Sequence, residues 1–241
     1  MKWANHLFQW GIGAGFYDAM TRQVFWRQAI ASMLDCVTDI PGAPQVLDIG
    51  CGPGISTFAL GECLSAPAQL CGLDLSAQML VLARQSHLEH WSHLSHVRFE
   101  QGDAAQLTYA DASFDLVFGH SLLYLVDDPV AVLREVKRVL KPEGQVVFME
   151  PNQAGSLYRA AHTSVRAFGQ WLPVPLSAAR FGLSMAMWRV VSGGTGQMSA
   201  AKLRALFAQA GFNECSSTEA LGSLGLHITN RASASSHGAR P

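Results

Sequence analysis

Val46-Leu47-Asp48-Ile49-Gly50-Cys51-Gly52-Pro53-Gly54 (VLDIGCGPG) is the stretch that decides how this chain folds. Its first half, with Gln45 before it, is a short apolar run of strand character. Its second half is a glycine turn, and a helical run from Ile55 to Leu64 follows. A glycine turn between a strand and a helix lets backbone N–H groups approach a ligand closely at the helix N-terminus. The spacing is GxGxG, at Gly50, Gly52 and Gly54. It is not the dinucleotide GxGxxG, and no GK[ST] follows to make a phosphate loop. Asp48 precedes the first glycine by two residues. A carboxylate there repels phosphate and suits a cationic ligand or a ligand amine.

Outward from this turn the chain alternates. Strands are expected at Gln69–Leu75, Val97–Glu100, Phe114–Gly119 and Gln145–Glu150, the last after the turn Pro142-Glu143-Gly144. Helices are expected at Ser76–Arg84, with Ser76 as N-cap, and at Asp128–Leu140, with Pro129 near its start. After a lapse from Pro151 to Met198, a helix is expected at Ala200–Ala210, between Ser199 and Gly211, then strands near Glu214–Ala220 and Gly225–Asn230. Strands alternating with helices imply an α/β fold with a parallel, doubly wound sheet. Before the first strand, residues 3–40 read as helical, with Trp3, Leu7 and Trp10 on one face and a second helix from about Tyr17 to Val37.

Asp74 ends the second strand, 20 residues after Gly54, where nucleotide-binding sheets place an acid for ribose hydroxyls. Asp103 follows the third strand. Three acids thus sit at the carboxyl ends of three successive strands, where open α/β sheets bind ligands. A ligand with a cationic amino-acid end, a ribose and an adenine amine uses all three. By contrast, Asp115 reads as a structural residue at the start of its strand, and Asp127 and Asp128 as charges at a helix N-terminus.

The motifs LDIGCGPG, GLDLSAQML, QGDA and FDLVFGHSLLYL, in that order, resemble those of class I S-adenosylmethionine-dependent methyltransferases. The resemblance implies a Rossmann-like seven-stranded sheet in the order 3-2-1-4-5-7-6, with helices on both faces and the seventh strand antiparallel. It implies S-adenosyl-L-methionine as cofactor. Asp48 and Gly50, Cys51, Gly52 and Gly54 line its methionine end. Asp74 holds the ribose, Leu75 and Met79 flank the adenine, and Asp103 binds the adenine amine with Ala104 supplying backbone. Gly119 and His120 face the sulfonium, and Tyr17 closes over the cofactor. The implied division is an N-terminal helical cap (1–44), the methyltransferase domain (45–230) with an acceptor lid (151–198), and a flexible tail (231–241).

A sulfonium methyl is already electrophilic, so an enzyme need mainly align a nucleophile and exclude water. Where the acceptor must lose a proton, His120 is the best-placed base, its ordinary pKa lying near neutrality. The alternative, that His120 only shapes the pocket, stays open. His87, His90, His93 and His96 recur every third residue, a spacing that drifts around a helix, and the five cysteines are unclustered. No metal site is expected.

The chain has 241 residues, 49% hydrophobic and 15% charged, with net charge −1. That excludes a disordered chain and a broadly basic nucleic-acid binder. The average hides a split. Val46–Glu150 carries 13 acids against 6 bases, whereas Pro151–Asn213 carries 6 bases and no acid. The second stretch holds Trp171 and Trp188, candidate acceptor contacts together with Tyr124. Its apolar and basic character suits a lipophilic acceptor with negative charge, or peripheral membrane contact. Against that stands plain packing of its aromatics on the sheet. FYDAMTR (Phe16–Arg22) and Phe25-Trp26-Arg27 are similar to ubiquinone/menaquinone C-methyltransferases, and bacterial phospholipid N-methyltransferases share the layout. The expected acceptor is a small lipophilic molecule such as a quinone, lipid or polyketide-like metabolite, methylated on O, N or C. A phospholipid N-methyltransferase and a non-catalytic cofactor-binding accessory subunit are the alternatives. Gly119-His120-Ser121-Leu122 is not an NPPY-type motif, so no nucleic-acid substrate is expected. A cytoplasmic location, with membrane association open, fits an odd number of cysteines with no CxxC pair and the absence of a long apolar run.

Overall fold

The computed structural model describes residues 30, 33–37, 40–64, 68–156, 158–159, 183, 186, 189 and 196–230. Seven strands form one sheet: β1 (Gln45–Ile49), β2 (Gln69–Asp74), β3 (Val97–Gln101), β4 (Phe114–His120), β5 (Leu140–Pro151), β6 (Ser216–Ala220) and β7 (Gly225–Thr229). Their order is β3-β2-β1-β4-β5-β7-β6. The first five pair in parallel, and β7 runs antiparallel to both β5 and β6. This is the order and the reversed strand that the sequence motifs imply.

Among the described residues four helices cover the sheet: α1 (Ile55–Cys63), α2 (Ala77–His90), α3 (Pro129–Val139) and α4 (Ala200–Gln209). Two begin at the expected caps, and a third is capped by a residue expected only as a helix-terminal charge. Ser76 Oγ accepts the Met79 N–H, and Ser199 Oγ accepts the Lys202 N–H. Asp128 Oδ1 accepts from Val130 and Ala131, with Pro129 in the first turn, where its missing N–H costs nothing. In α3 the buried stripe is Val132, Leu133, Val136 and Val139.

Strand alternation splits the core in two. On one face Val46, Leu70, Phe99, Leu116, Phe118, Val147 and Met149 pack with Phe58 and Leu60 of α1, Leu80 and Ala83 of α2, and Ile30 and Met33. On the other, Leu47, Ile49, Cys71, Leu73, Val117, Val146, Phe148 and Ile228 pack with α3 and with Leu203 and Phe207 of α4. Phe58, Phe118, Phe148 and Phe207 are fully buried, each contributing about 1.5–3 kcal/mol of hydrophobic stabilisation.

Several boundaries differ from expectation. The helix expected from Ser76 to Arg84 continues to His90, because the His87 ring stacks on Phe58 with centroids 5.9 Å apart and its Nε2 lies 3.1 Å from Leu94 O. β5 begins at Leu140 rather than Gln145, because Leu140 pairs with Phe114 across a register shift. β6 begins at Ser216, not Glu214. The helix expected to reach Val37 does not: Leu34–Cys36 form a tight 3-10 turn and Val37 is extended. The rest of the expected N-terminal helices, most of the 151–198 lid and the 231–241 tail lie outside the described residues. No described helix is long and apolar enough to cross a membrane.

Candidate active site

The site is built at the carboxyl ends of β1, β2 and β4. After Ile49 the backbone turns through Gly50, Gly52 and Gly54, all at positive φ (70°, 53° and 89°), which L side chains rarely adopt. The turn is tied to the neighbouring strand: the Gly50 and Cys51 N–H groups donate to Leu73 O at 2.8 and 3.1 Å. Gly54 caps α1 without a side-chain hydrogen bond to the first amides of that helix.

Asp48 lies beneath this turn, 1% exposed. Its Oδ2 accepts both the Ser56 and Thr57 hydroxyls at 2.6 Å. Its Oδ1 is buried and has no hydrogen-bond partner among the described residues. Burial pushes the carboxyl up to about 7; the two hydroxyls pull it down and the charge of Asp74 adds to the rise. Gly72, opposite Asp48 on β2, makes room for this arrangement: a Cβ there would lie 2.9 Å from Thr57 Oγ1 and 2.7 Å from the Phe99 ring.

Asp74 clamps two loops at once. Its Oδ2 accepts the Gly52 N–H and its Oδ1 the Ser76 N–H, each at 2.8 Å. Burial raises its pKa, and the two amides oppose that rise. Each carboxylate oxygen carries a second lone pair, so the clamp leaves room for two hydroxyl donors. Leu75 beside it is 57% exposed, with its carbonyl held by Gln101 Nε2, whereas Met79 is buried. Asp103 is exposed and turns its own loop, Oδ1 accepting the Ala105 N–H at 2.8 Å; Ala104 is half-buried against the core. The structure therefore gathers Asp48, the glycine turn, Asp74 and Leu75 along one rim, with Asp103 following β3.

Gly119 and His120 point to opposite faces. A Cβ on Gly119 would lie 2.3 Å from Phe148 Cε1, so this glycine admits a core ring on the α3 side. His120 lies on the same face as Asp48, its Nε2 buried. Burial, with a smaller contribution from His227, lowers its pKa from the ordinary near-neutral value to about 4. The ring is neutral at pH 7, a good hydrogen-bond acceptor and a weak base.

Two residues escaped the sequence reading. Glu150, fully buried at the end of β5, accepts three successive backbone N–H groups after β4. Leu122 and Leu123 donate to Oε1 at 3.0 and 2.8 Å, and Tyr124 donates to Oε2 at 3.3 Å. Ser121, between His120 and that clamp, takes a left-handed φ of 57° while its N–H donates to Met149 O. The only sequence signal was an acid ending an apolar run. The second is His227, buried on β7 within the wholly buried strand GLHIT. Of the candidate acceptor contacts, Tyr124 is buried in the α3-side core. Trp171, Trp188 and the cofactor-closing Tyr17 lie outside the described residues.

Comparison with known proteins bears on this rim. The profile of the methyltransferase-domain family matches residues 42–202, and the chain belongs to that family. It is 34% identical over 139 residues to a demethylmenaquinone methyltransferase from Alkalihalophilus pseudofirmus, covering 57% of this chain and 58% of that protein. It is 35% identical over 112 residues to an arsenite methyltransferase from Aquipseudomonas alcaligenes, covering 44% of this chain and 32% of that protein. The chain thus spans from about a third to under three-fifths of the length of the curated relatives it matches. Its fold is similar to the crystal structure of an S-adenosylmethionine-dependent methyltransferase from Aquifex aeolicus, with a TM-score of 0.60 at 16% identity, covering 83% of this chain and 87% of that one.

Proposed function

We propose that this protein transfers a methyl group from S-adenosyl-L-methionine to a small lipophilic acceptor of the quinol type. The observation that carries the cofactor reading is the orphaned Oδ1 of Asp48 beneath the glycine turn. A buried carboxylate oxygen without a donor is costly, and a ligand ammonium group removes that cost. The residues present fit the cofactor. Asp48 receives its amino group, directly or through water. The uncapped start of α1 receives its carboxylate. Asp74 offers its remaining lone pairs to the ribose hydroxyls, Leu75 and Met79 bound the adenine, and Asp103 accepts from its amine.

When bound, the cofactor supplies an electrophilic methyl on a sulfonium. The chain's own part is then alignment and exclusion of water. His120, neutral and fixed at the end of β4, accepts a hydrogen bond from an acceptor hydroxyl and so enriches the ring that attacks. Glu150 holds the turn beside it.

The quinol reading is supported by the demethylmenaquinone methyltransferases among the relatives. An arsenic acceptor is disfavoured by the cysteines, which are scattered among the described residues rather than clustered. An anionic phospholipid acceptor loses some of its support from the basic stretch. Arg159 pairs with Glu219 at 3.0 Å, and Arg189 donates to Asn152 O and Gln153 O at 2.5 and 3.2 Å. Those cations have internal work. We propose the 151–198 segment as the lid over the acceptor and residues 1–44 as a cap.

Isothermal titration with S-adenosylmethionine tests the premise. Binding is expected for the wild type and loss for Asp74→Ala; absence of wild-type binding overturns it. Incubation with methyl-labelled cofactor and a reduced, prenylated naphthoquinone tests the acceptor, a labelled ring-methyl product being the expected result.

A further inference from the structure

We propose that His227 is a second acceptor-contacting residue, forming with His120 a pair of neutral imidazoles that holds a hydroxyl or carbonyl oxygen of the acceptor. This rests on the methyltransferase reading above but names a contact that the family motifs do not.

The sheet register places the pair. His120 on β4 is opposite Met149 on β5, and Met149 is opposite His227 on β7. Residues directly opposite one another project from the same face of a sheet, so the two imidazoles flank the Met149 thioether. Two strand spacings separate their Cα atoms, about 10 Å. Side chains standing perpendicular to the sheet keep that spacing, so the two rings share one polar atom by leaning toward each other over the Met149 side chain.

The face is the right one. Asp48 is opposite Phe118, which lies two residues before His120 on the same strand, so Asp48 shares a face with both histidines. The β2 and β3 ends are committed to Asp74 and Asp103. A cofactor lying along β1, β2 and β3 leaves its reactive end toward β4 and β5, and an in-line acceptor must come from that side. Because β7 is antiparallel, His227 falls beside the carboxyl end of β5. The reversed strand thus returns a side chain to the catalytic rim.

His227 is 6% exposed, and its buried Nε2 has no hydrogen-bond partner among the described residues. A structural histidine in such a position ordinarily spends that nitrogen on a backbone group. Burial drives the His227 pKa down to about 4, so the ring is neutral and free to accept or to donate according to tautomer. A leucine of similar volume removes an unsatisfied polar atom, which costs the fold nothing and can stabilise it.

The test compares His227→Leu and His227→Gln with the wild type. The readouts are the melting temperature, the S-adenosylmethionine Kd by titration, and the kinetics of methyl transfer from labelled cofactor to a reduced prenylated naphthoquinone. We expect an unchanged melting temperature and Kd, with the acceptor KM raised at least ~10-fold for His227→Leu, the loss of one hydrogen bond of about 1.4 kcal/mol. His227→Gln, which keeps a polar end, recovers part of it. An unchanged KM overturns the inference, as does a lowered melting temperature with KM and kcat intact, which marks a structural histidine. If the wild type does not methylate the naphthoquinol, the quinol reading fails by itself. The same variants are then compared on whatever acceptor the labelled cofactor tags in a cell extract. Reduced tagging by His227→Leu supports the contact and equal tagging overturns it. No tagging by the wild type overturns both.

Discussion

The Glu150 clamp supports a worked prediction. In Glu150→Gln the amide oxygen can keep the two bonds from Leu122 and Leu123, while its NH2 group is turned toward the Tyr124 N–H. One buried donor then faces another. Leaving a buried N–H unsatisfied costs about 1–3 kcal/mol, and the two retained bonds lose their charge assistance, about 0.5 kcal/mol each. The neutral amide is cheaper to bury than the carboxylate, which offsets part of this. The net is a destabilisation of about 2 kcal/mol, or a fall in melting temperature of about 4–8 °C for a chain of this length. Glu150→Ala orphans all three donors and leaves a cavity. It is expected to cost roughly twice as much, about 4 kcal/mol or more. Thermal unfolding followed by circular dichroism measures both. Because the clamp lies beyond His120 and not on β1 or β2, S-adenosylmethionine affinity of the folded Glu150→Gln protein is expected to change less than acceptor turnover. Melting temperatures of both variants within about 1 °C of wild type, less than the shift from 1 kcal/mol, would refute the reasoning.

Asp48 sets a pH dependence. Its folded pKa is raised from 3.8 to about 7, so between those values the folded state holds a proton that the unfolded state has lost. Ligand-free stability from this group is full below about pH 4 and falls as pH rises toward 7, by about 4 kcal/mol in all. Urea unfolding of the wild type and Asp48→Asn across that window should show the slope in the first and its reduction in the second. Asp48→Asn should also weaken S-adenosylmethionine binding at least ~10-fold, the worth of a charge-assisted hydrogen bond, by titration calorimetry. Gly119→Ala places a methyl 2.3 Å from Phe148 and should cost about 1–3 kcal/mol in urea unfolding. Adding Phe148→Leu should make the pair less destabilised than the two single changes summed. Asp128→Ala removes the α3 cap and should cost about 1 kcal/mol with no change in cofactor affinity.

The strands, the glycine turn and the two serine caps were legible because each has a local cause: an apolar run, a positive φ, a hydroxyl before a helix. Strand order was not local. It came from the resemblance of four motifs in sequence, and β3-β2-β1-β4-β5-β7-β6 matches it. What stayed hidden was orientation across the sheet. In an alternating half-exposed strand the polar residues reveal the faces. Here β1, β4 and β7 are buried on both sides, so VLDI, FDLVFGH and GLHIT carry no such signal. That is why Gly119 and His120 read as one feature when they serve opposite faces, and why His227 passed as core. The lowering of the His120 pKa was hidden for the same reason, since the desolvation that causes it comes from residues far off in sequence. Glu150 was invisible because its three partners lie 26–28 residues away.

The two faces divide the labour. The α3 and α4 face is apolar along the central strands up to the rim, where Glu150 lies near the end of β5 opposite Leu226. The α1 and α2 face carries Asp48, His120 and His227 among its hydrophobic residues. Glu150, the buried acid on the other face, has its desolvation offset by three backbone N–H bonds at the rim, so that face still anchors the sheet. Gly119-His120 then becomes a constraint on register as well as on chemistry. Slipping β4 by one residue would exchange the two, driving an imidazole into the space occupied by Phe148 and taking it away from Asp48. The pairing that builds the rim is therefore also the pairing that the core will accept.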